Sequence, residues 1–286
     1  MSLSFYNHSF TLKGQTSPNG RPYNEDRCCI FVHENITFIF VLDGHGGDIC
    51  VNKIYESLHD IIARIFVSIN LYDIQQIINA NRQIYVELDE LTKDYESGCC
   101  MAMIIILPDN TMIASHLGDC KIYVFNHNIL YISQDHDPLS EMAEVRKRGG
   151  RVSLINGPRL VGGLGVARAF GDKNIKGVGR EPEIQIIGRD WNQFMLTSDC
   201  LTDSLTNMKI SKDQIFDEEG YPVEVPLHEK QKNAEPAVTE EIIKIFSLAI
   251  KNTETKYEAV EECMNELIKV AEKFPDNYSI VCGSKN

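Results

Sequence analysis

The segment FIFVLDGHGGD, residues 38–48, places an aspartate and a histidine where an apolar run meets a glycine-rich turn. The run from Phe38 to Leu42 is typical of a buried β-strand. Asp and Gly are favourable turn residues, so one interpretation is that the segment needs only a turn here. The other interpretation is that a rigid strand holds Asp43 and His45 over a reaction centre. The rest of the sequence decides between them.

Apolar strands and amphipathic helices surround this segment in blocks. Period-two or short apolar runs predict strands at 27–33, 36–42, 101–107, 111–117, 121–125, 129–133, 183–187, 192–198 and 278–283. Helical spacing predicts helices at about 51–65, 74–91, 139–149, 238–250 and 255–272. This pattern predicts an α+β fold in which antiparallel sheets pack together under helices.

The chain shows no linker, so we expect one domain over residues 1–286. Residues 209–236 are polar and contain Gly220, Pro222, Pro226 and Pro236, which predicts a loop or a surface insertion. No repeat and no low-complexity tract is visible in the sequence.

The composition excludes several classes of partner. A net charge of −13 argues against nucleic acid and anionic membranes, because phosphate contacts need clustered Lys and Arg. No apolar stretch approaches 18 residues, and the N-terminal residues do not form a signal peptide. The nine cysteines lack CxxC spacing, so we interpret them as small core residues in a reducing compartment. A monomer in the cytoplasm or the nucleus is expected.

Acidic residues recur at predicted strand boundaries. They are Asp26, Asp43, Asp119, Asp199 and Asp276. An isolated acid at such a place is usually a turn residue. If these acids converge, hard divalent cations with oxygen ligands would offset their repulsion. Two ions about 3.5–4 Å apart would activate a water and clamp a phosphoryl group. Spacing alone leaves both possibilities open.

Nine short motifs occur in a family-like order along nearly the whole chain, from about residue 13 to 283. They are RPYNED, VLDGHGG, LGD, QDHDP, RGGRV, LGVARAFGD, EPEI, TSDCLTD and PDNYS. In this order the chain resembles the metal-dependent protein phosphatases, the type 2C serine/threonine phosphatases. The resemblance implies a β-sandwich flanked by helix pairs, in α/β/β/α layers, with a flap over roughly residues 137–180.

The resemblance also implies a metal centre with two Mn²⁺ or Mg²⁺ ions and a third, weaker ion. Asp43 would bridge the first two ions, and the Gly44 carbonyl would add a ligand. Asp199 and Asp276 would complete the first ion's ligands, and Glu25 and Asp26 would hold metal-bound waters. The third ion's ligands would be Asp119, Asp203 and Asp199.

Two further residues match positions with a chemical role in the family. Arg21 matches the arginine that binds the substrate phosphate, and a planar guanidinium suits two phosphate oxygens. His45 matches the proposed general acid that protonates the leaving oxygen. A simpler role for His45 is a hydrogen bond that steadies the turn. Within the flap, Arg168 and Asp172 match residues with a structural role, and Arg168 is expected to pair with a carboxylate.

The function implied is hydrolysis of phosphoserine and phosphothreonine in proteins by a metal-bridged hydroxide. One alternative is a pseudophosphatase that binds partners on the same fold, although the usual mark of that class is loss of metal aspartates. Another is a phosphatase of a small phosphorylated metabolite. Cys200 stands where the family usually has glycine, and it either crowds the metal-binding backbone or fills a small buried space.

Overall fold

Strands and helices occupy most of the chain in the computed structural model, which describes residues 1–6, 10–126, 128–154, 159–160, 162–210 and 227–285. The strands are β1 (Ser2–Tyr6), β2 (Phe10–Ser17), β3 (Asp26–His33), β4 (Ile36–His45), β5 (Gly98–Ile106), β6 (Met112–Leu117), β7 (Lys121–Phe125), β8 (Ile129–Ile132), β9 (Val152–Ser153), β10 (Arg159–Leu160), β11 (Phe170–Gly171), β12 (Glu183–Gly188), β13 (Gln193–Thr197) and β14 (Tyr278–Lys285). The helices are α1 (Ile49–Phe66), α2 (Ile74–Thr92), α3 (Met142–Lys147), α4 (Asp199–Ile210), α5 (Leu227–Asn252) and α6 (Lys256–Ala271).

Two antiparallel sheets form the centre of the fold. The first sheet has the strand order β1-β2-β14-β13-β7-β8. The second has the order β12-β6-β5-β4-β3, with β11 paired to β5. Helices α1 and α2 cover the second sheet, and α4, α5 and α6 cover the first. The predicted α+β sandwich in α/β/β/α layers is therefore confirmed.

Strand β4 is buried on both faces, which explains its uninterrupted apolar run. Ile39 and Val41 belong to the core between the two sheets. Phe38 and Phe40 belong to the core under α1 and α2. Because side chains alternate along a strand, Asp43 continues the row of Ile39 and Val41 and faces the space between the sheets. The sandwich interior therefore becomes acidic at this end.

Local signals fix several element boundaries. Glu34 and Asn35 both have positive φ, +48° and +66°, as the tight β3–β4 turn requires. Asp73 caps α2 by accepting hydrogen bonds from the amides of Gln75 and Gln76. Thr255 opens α6 with a reciprocal capping box. These signals set where the elements begin, and the sheets and cores set how they pack.

The predicted loop over residues 209–236 is wrong at both of its ends. Helix α4 continues through Ile210, and α5 begins at Leu227 and runs through Pro236. The part from 211 to 226 lies outside the described residues. Pro236 and the polar composition favoured a loop, but the residues before it include good helix formers such as Lys, Gln and Ala. The buried Ala234 extends the apolar stripe of Val238 and Ile242, and this spacing was the missed helical signal.

Strands β1 and β2 were not predicted. Strand β2 reads FTLKGQTS, and its many polar residues conceal a strand that pairs with β1 on one side and β14 on the other. Leu12 packs in the core between the sheets, while Lys13 forms an ion pair with Glu261 of α6 at 2.7 Å. None of the described helices has the length and apolarity needed to cross a bilayer.

Candidate active site

Two aspartates face each other where β3 begins and β4 ends. Asp26 and Asp43 are direct partners in the antiparallel pairing of these strands. Asp26 is only 2% exposed, and its Oδ2 atom is buried without a hydrogen-bond partner. A buried carboxylate oxygen without a partner is costly unless a proton or a cation reaches it.

The first sheet brings two more aspartates to the same place. Asp199 begins α4, two residues after the last residue of β13, and its backbone N–H donates to Asp43 Oδ2 at 3.4 Å. Asp276 directly precedes Asn277 and strand β14, which pairs with β13. The acids therefore meet at the junction of the two sheets, with Asp26 and Asp43 from one sheet and Asp199 and Asp276 from the other.

Burial and mutual repulsion raise the pKa values of this group. Burial is the largest cause of the raised pKa of Asp43, and the Asp199 and Asp26 charges add to it. The pKa of Asp26 rises to about 7, mainly through burial and despite a hydrogen bond from Ser198. Asp199 is likewise raised well above its ordinary pKa by burial, with the Asp119 charge next. The carboxylates thus interact as one acidic cluster.

Asp119 and Asp203 extend this acidic cluster on the side of Asp199. Burial raises the pKa of Asp119. Burial, and then the Asp119 charge, raises the pKa of Asp203 to about 6. Asp203 lies four residues after Asp199 on α4, so the two face the same side of the helix.

The acidic cluster fits divalent cations of the Mg²⁺ or Mn²⁺ type. Its donors are carboxylate oxygens, which hard cations prefer, and the unpartnered Asp26 oxygen and the raised pKa values indicate negative charge awaiting compensation. Gly44 adds a backbone that only glycine permits, since a Cβ there would lie 2.6 Å from the Glu25 carbonyl oxygen. Glu25 itself accepts a hydrogen bond from the Gly47 amide at 2.6 Å, which anchors the glycine-rich turn.

Arg21 lies at the open side of the acidic cluster. Its Nη2 atom is 2.7 Å from Asp276 Oδ2, and its side chain is 43% exposed. Its Nε atom donates to the Pro275 carbonyl at 3.4 Å. The positively charged guanidinium of Arg21 therefore lies next to the acids and remains accessible to solvent, as binding of a phosphate-carrying ligand would require.

His45, the last residue of β4, contacts an unexpected partner. Its Nε2 atom is 2.8 Å from Oδ2 of Asp172, a residue 127 positions further along the chain. His45 also lies close enough to Asp119 to interact with it electrostatically. The predicted site residues therefore occupy one region, and the sequence analysis missed the contact between His45 and Asp172.

Comparison with known protein families identifies the chain. The family model described as Protein phosphatase 2C matches residues 23–212, which contain most of the acidic cluster and His45. The chain belongs to the protein phosphatase 2C family.

Relatives and solved structures agree with membership of the protein phosphatase 2C family. The chain is 29% identical over 222 residues to "Probable protein phosphatase 2C 14" of Arabidopsis thaliana, covering 73% of this chain and 48% of that protein. It is 27% identical over 214 residues to "Protein phosphatase 1L" of Bos taurus, covering 65% and 58%. The chain thus spans about half the length of these curated relatives.

The fold matches a solved serine-threonine phosphatase 2C from Toxoplasma gondii with a TM-score of 0.71 and 16% identity, covering 100% of this chain and 99% of the other. At this level of identity the likeness concerns the protein phosphatase 2C fold alone.

In this protein phosphatase 2C chain, Cys200 departs from the family pattern and Arg168 agrees with it, and the structure shows the contacts of both. Cys200 is fully buried, and its thiol lies 3.7 Å from the Ala271 carbonyl and 3.6 Å from the Asp276 carbonyl. It therefore fills a small space between α4 and the segment that carries Asp276. Arg168 pairs with the Glu141 carboxylate, its Nε at 3.0 Å, as expected for a structural flap residue.

A second group of metal-type ligands lies outside the acidic cluster. Among the described residues, the three whose donor atoms all lie within 4.8 Å of one another are His116, His136 and Glu183. The two imidazole rings are stacked, with an interplanar angle of 4°. An ion bound by a histidine lies in the plane of its ring, and these parallel planes do not meet. His136 Nδ1 also accepts from the Gly118 amide at 2.9 Å, so Nε2 carries the proton. We interpret the stacked pair as support for the turn that carries Asp119.

Proposed function

We propose that this chain is a metal-dependent phosphatase of phosphoserine and phosphothreonine in proteins. The observation that supports it most is the convergence of aspartates from two sheets beside an accessible arginine. Carboxylates that repel one another can bind divalent cations, which offset that repulsion. The cations and Arg21 together would then bind the negative oxygens of a phosphoryl group.

In this proposal the acidic cluster holds two Mg²⁺ or Mn²⁺ ions and a third, weaker one. Asp43, Asp199, Asp276 and the Gly44 carbonyl hold the first two ions together with Glu25 and Asp26. The third is held by the ligands Asp119, Asp203 and Asp199. When bound, such ions neutralise phosphate charge and lower the pKa of a water nucleophile.

The other roles belong to Arg21 and His45. Arg21 binds two oxygens of the substrate phosphate through its planar guanidinium. His45 gives a proton to the serine or threonine oxygen as the P–O bond breaks, because an alkoxide is a poor leaving group. Asp26 is buried on one side of the acidic cluster, and the exposed Arg21 marks the side from which substrate enters.

The test is hydrolysis of a phosphothreonine peptide with Mg²⁺ or Mn²⁺, with and without a chelator. Activity should require the metal. Asp199→Asn should lower turnover by at least about 10²-fold, which is the order of loss seen when one electrostatic stabiliser of a transition state is removed. Asp190→Asn, an exposed acid between β12 and β13, is the matched control and should keep wild-type rates. Metal binding by calorimetry should weaken in Asp199→Asn alone.

Three results would redirect the assignment. Full activity in chelator would exclude the metal-dependent mechanism. Metal binding without hydrolysis of any phosphate ester would favour a pseudophosphatase. Faster hydrolysis of a small phosphorylated metabolite than of peptides would favour the metabolite phosphatase.

A further inference from the structure

We propose that Asp172 is a positioning residue that fixes the imidazole of His45 for proton transfer. The inference rests on the proposed phosphatase function. The proposal is based on a buried carboxylate that is hydrogen-bonded to His45, which ends β4 two positions after Asp43.

The contact sets which nitrogen of His45 faces the reaction. Asp172 Oδ2 lies 2.8 Å from His45 Nε2, and the Asp172 side chain is only 3% exposed. An ionised carboxylate can only accept, so Nε2 carries a hydrogen and donates it. In the doubly protonated ring, Nδ1 carries the proton that passes to the leaving oxygen, and the ring is left as the neutral Nε2–H tautomer. Without the carboxylate, the ring could rotate and either tautomer could form.

The backbone holds Asp172 tightly enough to serve as an anchor. Its amide donates to the Ser97 carbonyl at 3.3 Å, and its carbonyl accepts from the Ile175 amide at 2.9 Å. Its φ of +51° is left-handed, a conformation that aspartate tolerates better than most residues. The preceding pair, Phe170 and Gly171, forms strand β11 against the start of β5. The carboxylate thus belongs to the sheet that carries His45.

Gly98 shows that the space around the pair is reserved for it. Gly98 is the first residue of β5 and lies opposite both His45 and Gly171 in the strand pairings. A Cβ at Gly98 would lie 2.2 Å from Asp172 Oδ2 and 2.2 Å from His45 Nε2. Any side chain here would displace the hydrogen bond, so the glycine provides the room that the pair occupies.

A purely structural clamp is the competing explanation, because the same bond ties the flap to β4. The two roles differ in what they predict. A clamp affects all substrates alike, because a disturbed fold slows every reaction. A positioning residue acts only through His45, so its effect disappears when the histidine is replaced.

The experiment combines Asp172→Asn, His45→Gln and the double variant with two substrates, a phosphothreonine peptide and p-nitrophenyl phosphate. Asp172→Asn should lower kcat on the peptide by about 10-fold or more, approaching the ~10²–10⁴-fold that loss of a general acid costs. The loss on p-nitrophenyl phosphate should be no more than a few-fold, because nitrophenolate leaves without a proton. In the His45→Gln background, Asp172→Asn should cost nothing further.

Glu141→Gln provides the matched control. It breaks another flap carboxylate contact, the one with Arg168, without touching His45. Any loss it causes should be equal on both substrates. Equal losses for Asp172→Asn, or an undiminished loss in the His45→Gln background, would overturn the positioning role. A wild-type protein inactive on both substrates would refute the proposed function instead.

A second measurement covers the case in which Asp172→Asn fails to fold. Nitrogen NMR of the wild-type protein with Mg²⁺, assigned by comparison with His45→Gln, should show the Nε2–H tautomer of His45. A neutral ring that carries its hydrogen on Nδ1 alone would overturn the proposal without reference to any activity.

Discussion

Individual side chains around the acidic cluster differ in how firmly the backbone holds them. Asp26 and Asp43 oppose each other on paired strands and have little freedom to move apart. Arg21 precedes β3, is half-exposed, and contacts the cluster through Asp276 and the Pro275 carbonyl. The two acids therefore keep a fixed position and a fixed electrostatic effect, while the Arg21 side chain can reorient toward an anion that binds.

Arg21→Ala should mainly raise KM, because a phosphate contact contributes to the ground state and the transition state alike. The increase should be similar for the phosphothreonine peptide and for p-nitrophenyl phosphate, since both carry the same group. Arg21→Lys should recover only part of the loss, because an ammonium lacks the planar fork. Steady-state kinetics on both substrates measure the effect.

Arg189→Ala is the control for that series. Arg189 is an exposed arginine paired with Asp109, at the end of β5 opposite to Gly98. The Arg189→Ala variant should keep the wild-type KM. An unchanged KM with a lower kcat in Arg21→Ala would show that Arg21 does not bind the ground-state phosphate.

Among individual residues, the sequence motifs named a set of acids that the fold brings together, and the roles of these acids stay predictions. The sequence did not predict the contact between His45 and Asp172. Their separation of 127 positions is bridged only by the pairing of β4 with β5 and of β5 with β11. Periodicity reports which face of a strand is buried, and it carries no information on which distant carboxylate meets that face.

At the scale of elements, α5 and α6 illustrate what local signals can achieve. Helix α6 was predicted closely from its helical spacing, and the structure shows that Thr255 and Glu258 form a capping box at its start. The start of α5 was missed because Pro236 normally opposes a helix interior. Val238 packs in the core that α4 and the first sheet share, Ala234 is buried as well, and this burial outweighs that preference. Tertiary burial thus overrides local propensity at α5 and agrees with it at α6.

Thr255→Ala should lower the free energy of unfolding by about 1 kcal/mol, the usual cost of losing an N-cap. The Thr255 hydroxyl accepts from the Glu258 amide at 3.2 Å, and this bond would disappear. Thr255→Ser keeps the acceptor and should retain most of the stability. Denaturant unfolding monitored by circular dichroism compares the three proteins.

Because α6 packs on β14 rather than on the acidic cluster, neither variant at Thr255 should change KM. A cap variant that altered KM while leaving stability intact would contradict this assignment of roles.

At the scale of the whole molecule, like charges gather where the two sheets meet. The folded protein binds more protons than the unfolded chain in the acidic range, since the pKa of Asp26 is raised from 3.8 to about 7. The stability that protonated Asp26 contributes is fully present below the pKa that Asp26 has in the unfolded chain, and it is lost as the pH rises through the pKa that Asp26 has in the folded protein. Protons therefore neutralise this centre at low pH, and under the proposed function bound cations would neutralise it at neutral pH.

We expect the melting temperature of chelator-treated protein to fall between about pH 5 and about pH 7.5. Millimolar Mg²⁺ should raise it more at the higher pH, because cations bind only the deprotonated carboxylates. Asp26→Asn should flatten the metal-free profile and stabilise the metal-free protein at neutral pH. Asp190→Asn should keep the wild-type profile. Calorimetry over the pH range makes the measurement.

A metal-free melting temperature that rises between those pH values in wild-type protein would contradict the acidic cluster as the source of the effect. A profile unchanged by Asp26→Asn would move the source to another group.

The position of β14 has a consequence for biosynthesis. This strand lies between β2 and β13, although it follows both along the chain, and Asp276 lies two residues before it. A nascent chain that ends before residue 276 therefore leaves two strand edges unpaired, and such edges attract other chains. The first sheet is completed only when this long-range pairing forms, and pairings that distant in sequence form slowly in general. Until Asp276 has been synthesised and β14 has paired, the acidic cluster therefore lacks one of its members.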